Sequence, residues 1–320
     1  MARPVLRRVA AALLAVAGIV VVTFILLHAA PGDPAAALAG EGGDPVHLEL
    51  LRAEYGLDRP LPQQFLTYTG NLLRGDLGTS IVRGRPVTEV IAERVGPTLL
   101  LLGSALAVSS LGGVALGALA ARRPYRAFDL TVTGAGLVGF AVPAFWLAQL
   151  AVLVLGLRVG LFPIQGMTDA RAPHTGLAAA LDVAHHLVLP AAVLAVSEVA
   201  IVARLTRVNL IRVLDQDFVR VARGLGVAPA RVLVRHALPN AMVPVMTVIG
   251  ARFGTLFSGA VLIETVFAWP GLGQLLVSAT RTRDYPVLLG LVLLASLSVV
   301  IANLITDVVC ARIDPRLHRD

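Results

Sequence analysis

An all-helical membrane protein with six transmembrane spans is the fold class this sequence predicts, and three observations carry that expectation. First, the composition is 57% hydrophobic and 15% charged, with mean hydropathy +0.80. Soluble chains carry roughly 25% charged residues, so this one has too little polar surface for a water-facing body. Second, long runs lack charge: 9–32, 95–121, 130–157, 183–203 (broken only by Glu198), 237–263 (broken only by Arg252) and 285–306. A spanning helix needs about 20 apolar residues, and each run supplies them. Third, the arginines are unevenly shared. If the N-terminus is inside, the inner segments hold 16 of the 27 and the longer outer segments hold 10. Cytoplasmic loops collect arginine, so the expected topology is N-in and C-in.

The same residue counts exclude several functions. All 27 basic residues in the 320 are Arg. With no Lys, the chain has no phosphate-binding-loop lysine and no Schiff-base chemistry. The basic residues cluster between apolar runs rather than as a stripe on a soluble fold, which argues against nucleic-acid binding. The single cysteine, Cys310, rules out an internal disulfide and reads as a small packing residue. No His-Glu-x-x-His or Gly-x-Ser-x-Gly motif supports hydrolase chemistry, and no catalytic residues are expected.

Element by element, residues 1–32 form the inner N-terminal end and the first span. Arg3, Arg7 and Arg8 precede that span, and Ala29-Ala30 resemble a cleavage site. The apolar stretch from Val9 to His28 exceeds a secretory core of 7–15 residues, so an uncleaved helix is expected. Residues 33–94 form an outer loop with helical signals. Asp44-Pro45 opens and Gly56 closes a segment Val46–Tyr55, and amphipathic stretches 62–74 and 87–95 are separated by Gly75, Gly78 and Gly84. Leu50, Leu51, Phe65, Leu72 and Leu73 are expected to be buried in a helical extracytoplasmic cap. Residues 95–320 hold the other five spans. Gly112, Gly113 and Gly117 in the second span, and Gly134, Gly136 and Gly139 in the third, permit close helix approach, Gly113-x-x-x-Gly117 most plainly.

The inner loop 204–239 is the most informative stretch. Asp217 opens a helix that the Gly224-Leu225-Gly226 run stops, and Pro229 begins a second. Arg231 and Arg235 share one face of it, and Leu238-Pro239 marks the return to the membrane. A short rigid helix pair between two spans suits transmission of force to a cytosolic partner. Seven arginines there also satisfy the positive-inside tendency and contact with anionic lipid.

This loop resembles the EAA loop of binding-protein-dependent ABC importer permeases, in particular the oligopeptide/dipeptide/nickel branch. The triplet position is Arg220-Val221-Ala222, the glycine is Gly226 and the Leu-Pro pair is Leu238-Pro239. Arg in place of the glutamate departs from the general pattern and is similar to the Arg-Thr-Ala of the peptide branch. The same branch is resembled by Ala30-Pro-Gly-Asp-Pro34, Tyr55-Gly-Leu-Asp-Arg-Pro-Leu61, Asn71-Leu-Leu-Arg-Gly-Asp-Leu-Gly78, Glu264-Thr-Val-Phe-Ala-Trp-Pro-Gly-Leu-Gly273, Asp284-Tyr-Pro286 and Asp314-Pro-Arg316, in order along residues 5–317. The resemblance implies a MetI-like permease core carrying peptides, with the coupling loop at Asp217, Arg220, Ala222, Gly226, Pro229, Arg231, Arg235, Leu238 and Pro239. It further implies a second homologous permease subunit, two cytosolic ATPases that bind ATP and Mg, and an external solute-binding protein. No cofactor is expected in this chain itself. A secondary transporter or channel is the competing class, and a nickel or other small-solute importer the competing cargo.

Ionisable residues inside spans are functional suspects, because charge is costly in lipid. Glu198 lines the path or makes a hydrogen bond within the bundle. Arg252 faces the cavity or a subunit interface, where a peptide carboxylate could meet it. Glu264 braces the turn at Trp269-Pro270-Gly271. His174, His185 and His186 raise the question of metal, but adjacent histidines on a helix point different ways, and no metal site is expected.

Overall fold

The structure, a computed structural model, describes residues 13–25, 49, 58–169, 171 and 174–313. The described elements are α1 (Leu13–Ile25), α2 (Leu61–Leu73), α3 (Val87–Arg122), α4 (Ala127–Ala141) and α5 (Ala144–Ala151, continuing as a π turn over Val152–Arg158). After them come α6 (Leu177–Leu214), α7 (Asp217–Gly224) and α8. This last helix opens at Pro229–Arg231, widens to a π turn over Val232–Ala237 and continues as Leu238–Ala251. The chain then forms α9 (Phe253–Val266), α10 (Leu272–Thr282) and α11 (Tyr285–Ile313). Among the described residues there is no strand, only an isolated bridge between Thr79 and Pro86.

Three of these helices are long and apolar enough to cross a bilayer: Val87–Arg122, Leu177–Leu214 and Pro229–Gly250. A fourth crossing exists if α4 and α5, bent by 100°, count as one. Shorter apolar helices, Leu13–Ile25 and Tyr285–Ile301, lie within the first and last expected runs.

Three element boundaries differ from expectation, each for a local reason. The run 130–157 is not one straight helix. Pro143 pushes Val142 out of the helical region (φ −80°, ψ 126°) and then starts α5, which is the break. The run 183–203 is only part of α6, which has 38 residues and extends for roughly 57 Å at 1.5 Å per residue, well beyond a 30 Å hydrocarbon core. Reading to the first charge ended that span at Arg204, whereas arginine is a good helix former and the helix runs on through it. The stretch 87–95, expected as a separate segment, is the opening of the 36-residue α3.

The chain divides into two compact units. The first comprises Met1–Gly96 and Gly271–Val300. There Phe24 of α1 meets Phe65 and Tyr68 of α2, with ring centroids 5.2 and 5.9 Å apart. Of the residues expected inside an outer cap, Phe65 and Leu72 are partly sheltered, but Leu73, the last residue of α2, is 85% exposed. Leu50, Leu51 and most of the segment Val46–Tyr55 lie outside the described residues. Also in this unit, Asp284 accepts from Ser80 Oγ (2.5 Å) and from the Ile81 N–H (3.2 Å), tying the turn before α11 to the turn before α3.

The second unit comprises Pro97–Pro270 and Ile301–Asp320. Its core joins Leu101 and Leu102 of α3, Ala148 of α5, Leu194 of α6 and Ile263 of α9 beneath the buried Trp269. The glycine expectation holds at four of six positions. A Cβ on Gly113 would fall 2.6 Å from Val202 Cβ, and one on Gly117 would fall 2.4 Å from the Ala203 carbonyl, so α3 and α6 touch through backbone there. A Cβ on Gly139 would sit a tight 3.0 Å from Val196 Cγ1, and one on Gly136 an ordinary 3.5 Å from Ala200 Cβ. Gly112 is barely in contact, and Gly134 faces open space.

Candidate functional site

The segment between α6 and the body of α8 forms a helix–turn–helix with little freedom at its joints. Gln216 is extended (φ −76°, ψ 152°) and serves as the N-cap of α7, whose first turn carries Asp217, where a negative charge favours the helix dipole. The helix ends in a tight hydrogen-bonded turn. Gly226 stands at φ +78°, its N–H donates to Arg223 O (3.0 Å), and the Val227 N–H reaches back to Ala222 O (3.2 Å). That pair of bonds is the Schellman closure, and it needs a left-handed residue at Gly226. Pro229 then takes the first helical position of α8, where a missing N–H costs nothing. The π turn Val232–Ala237 follows and meets Pro239, which has no N–H to offer a regular α ladder.

Burial gives this motif two faces. Val219 of α7 is fully buried, as are Val232 and Ala237 of α8. Ala237 packs with Leu210 and Val213 of α6, Ala121 of α3 and Ala241. The opposite face is open. Phe218 (41% exposed) and Val221 (61%) of α7 and its C-cap Leu225 (79%) fall at i, i+3 and i+7, and Val234 (62%) stands on α8. Arg220, Arg223, Arg231 and Arg235 are all exposed as well. Arg220 pairs with Asp215 (3.1 Å) and Asp217 (3.4 Å) in water, which orients it with little net stabilisation. An apolar stripe accompanied by exposed cations is a surface suited to a protein partner.

Of the intramembrane suspects, two that are 54 residues apart in sequence come together. Arg252 donates from Nε and Nη2 to the two Glu198 oxygens, both at 2.8 Å, in a bidentate fork. Glu198 is 7% exposed and Arg252 30%. Glu264 is fully buried; its Oε1 accepts from Thr98 Oγ1 (2.7 Å), and its carbonyl accepts the Trp269 N–H (2.8 Å). Trp269 Nε1 in turn donates to Pro97 O (2.9 Å), so the tryptophan turn is held at two points. His185 and His186 face different partners: His185 Nε2 meets Leu161 O (3.0 Å), and His186 Nδ1 meets Asp182 through its carbonyl (2.9 Å) and carboxylate (3.1 Å).

One constellation was not anticipated. Asp129, 1% exposed, accepts from Arg207 Nε, from Arg207 Nη2 (2.6 Å) and from the Tyr125 N–H (2.7 Å). Arg207 counts in sequence only as one more inner arginine, and no local spacing links positions 78 apart.

A family model described as "Binding-protein-dependent transport system inner membrane component" matches residues 113–319, and the model for the N-terminal part of such components matches residues 1–102. The chain belongs to this family. This permease is 37% identical over 319 residues to the "Oligopeptide transport system permease protein AppB" of Bacillus subtilis (strain 168), across 99% of this chain and 100% of that one. It is likewise 37% identical to the "Dipeptide transport system permease protein DppB" of Escherichia coli (strain K12), across 98% of each. A "Putative peptide permease protein" of Brucella suis is 41% identical across 93% of each. Among solved structures, the fold is similar to that of an inward-facing "MetNI methionine ABC transporter" chain, at TM-score 0.56 and 17% identity over 70% of this chain and 96% of that one. The permease is thus an inner-membrane subunit of an ABC importer, a transport component with the MetI-like fold.

Proposed function

We propose that the permease forms one half of the translocation path of an ATP-driven peptide importer and takes its driving motion through the segment 214–239. The observation that carries this reading is the two-faced α7. Val219 is buried on a helix that lies against α6 and the π turn of α8, while Phe218, Val221 and Leu225 are presented outward. An apolar stripe left in water needs a partner to cover it. Two cytosolic ATPases binding ATP and Mg would fill that role, one here and one on a second, homologous permease subunit. An extracytoplasmic binding protein would deliver cargo to the outer face. Peptide cargo is supported by the names of the oligopeptide, dipeptide and putative peptide permeases this chain resembles.

In this reading the six apolar runs all span, with both termini inside, and residues 33–94 form a helical cap under the binding protein. ATP-driven closure of the ATPases displaces α7, and the fixed joints at Gln216 and Gly226 pass that displacement to α6 and α8 as a lever. The Glu198–Arg252 pair lies between those two elements, since it links α6 to the α8–α9 junction. The test is co-purification of the ATPases with membranes carrying the intact chain or Val221→Asp. Capture by the intact chain and its loss in the variant, at equal permease levels, is the expected result. Undiminished capture by Val221→Asp sinks the assignment.

A further inference from the structure

The buried Asp129–Arg207 pair has no part in the outward stripe, yet it lies at the inner ends of the helices that the stripe must move. Arg207 stands about two turns before α6 ends at Leu214 and gives way to α7. Asp129 belongs to the first turn of α4, and Tyr125 to the short connection from α3. Tyr125 is held at φ +62°, a left-handed conformation that a bulky L-residue adopts only when its surroundings impose it. Its N–H is bound by the Asp129 carboxylate, and the Arg207 guanidinium carbon lies 5.6 Å from its ring centroid. One arginine therefore fixes both the acid and the strained turn. On the other flank, α3 meets α6 with backbone contact at Gly113 and Gly117, where not even a methyl group fits.

We propose that Asp129 and Arg207 are positioning residues of the coupling step: they clamp the Arg122–Arg126 turn to α6, so that a displacement entering through α7 moves the inner ends of α3, α4 and α6 as one body. This rests on reading 214–239 as the ATPase dock. A bidentate buried pair suits the task, because the planar guanidinium fork fixes orientation as well as distance. Toward α6, Gly136 would admit a methyl group at an ordinary 3.5 Å from Ala200, whereas the fork fixes a single register.

The clamp is tested by nitroxide pairs in the assembled transporter with its ATPases. Exposed Arg123 and Arg212 are replaced by Cys in a Cys310→Ser background. Their spin–spin distance is measured nucleotide-free and after trapping with ATP and vanadate. The clamp predicts one distance, unchanged by trapping. Arg207→Lys keeps the charge but loses the fork, and Asp129→Asn keeps the shape but loses the charge; each is expected to add a second distance that appears only on trapping. The reversed pair, Asp129→Arg with Arg207→Asp, is expected to restore the single distance. A native distance that itself shifts on trapping, or variants that keep the native behaviour, overturns the clamp. A separate nitroxide at Leu225 keeps the two readings apart: mobility there that ignores added ATPase contradicts the dock, whatever the clamp does.

Discussion

At the residue scale, Gly226 and Arg252 show two different ways in which a side chain is dictated. Gly226 has open space around a would-be Cβ, so nothing clashes, and only its φ of +78° demands glycine. Gly226→Ala should therefore strain the Schellman turn by roughly 1 kcal/mol, since an L-residue pays about that in the left-handed region. Hydrogen exchange at the Gly226 and Val227 amides should accelerate by roughly fivefold, with exchange in α6 unaltered. Arg252 is dictated by its partner. Arg252→Ala leaves the Glu198 carboxylate buried without its counter-charge and should destabilise the detergent-solubilised chain by about 3 kcal/mol. Arg252→Met combined with Glu198→Leu should recover most of that, as read from thermal unfolding in the same detergent. If the single and double variants unfold alike, the pair has no such role. Both residues were legible in the sequence as suspects, the glycine by its position after a short helix and the charges by their place in apolar runs. Their pairing was not, because contact across 54 residues leaves no local trace.

At the scale of elements, what could be read was periodicity and punctuation. The turn between α7 and α8 was predicted nearly to the residue, because Asp, Gly and Pro each have a backbone reason to stand where they do. The extent of α6 was not, because apolarity measures how much helix the membrane covers, not how much helix there is. The bend between α4 and α5 was missed although Pro143 was in plain view, since an uncharged run hides a helix break. That bend is local in origin. Pro143→Ala should let Val142 return to helical dihedrals and draw the 100° angle toward a straight span. A pair of spin labels on α4 and α5 would then lengthen; an unchanged separation would place the cause of the bend in packing instead. At the end of α7, Leu225→Asp should abolish ATPase capture while Leu225→Met, which keeps the stripe apolar, should leave it intact, as measured by co-purification.

At the scale of the whole molecule, composition pointed to a membrane chain: few charged residues, long uncharged runs and arginines gathered between them. The family match gives an inner-membrane transport component, with a fold similar to that of the MetNI chain. The candidate site was legible as a loop but not as a surface, since exposure of Phe218, Val221 and Leu225 against burial of Val219 depends on how α7 settles on α6 and α8. The central claim is that this loop admits the driving motion. Its most direct test is uptake by proteoliposomes holding both permease subunits and both ATPases, supplied with binding protein and a labelled dipeptide that this receptor retains. The account predicts ATP-dependent accumulation with the intact chain. With Leu225→Asp it predicts loss of uptake, although the permease pair still assembles. ATP-dependent uptake that survives Leu225→Asp, or accumulation that proceeds without the ATPases, would contradict it.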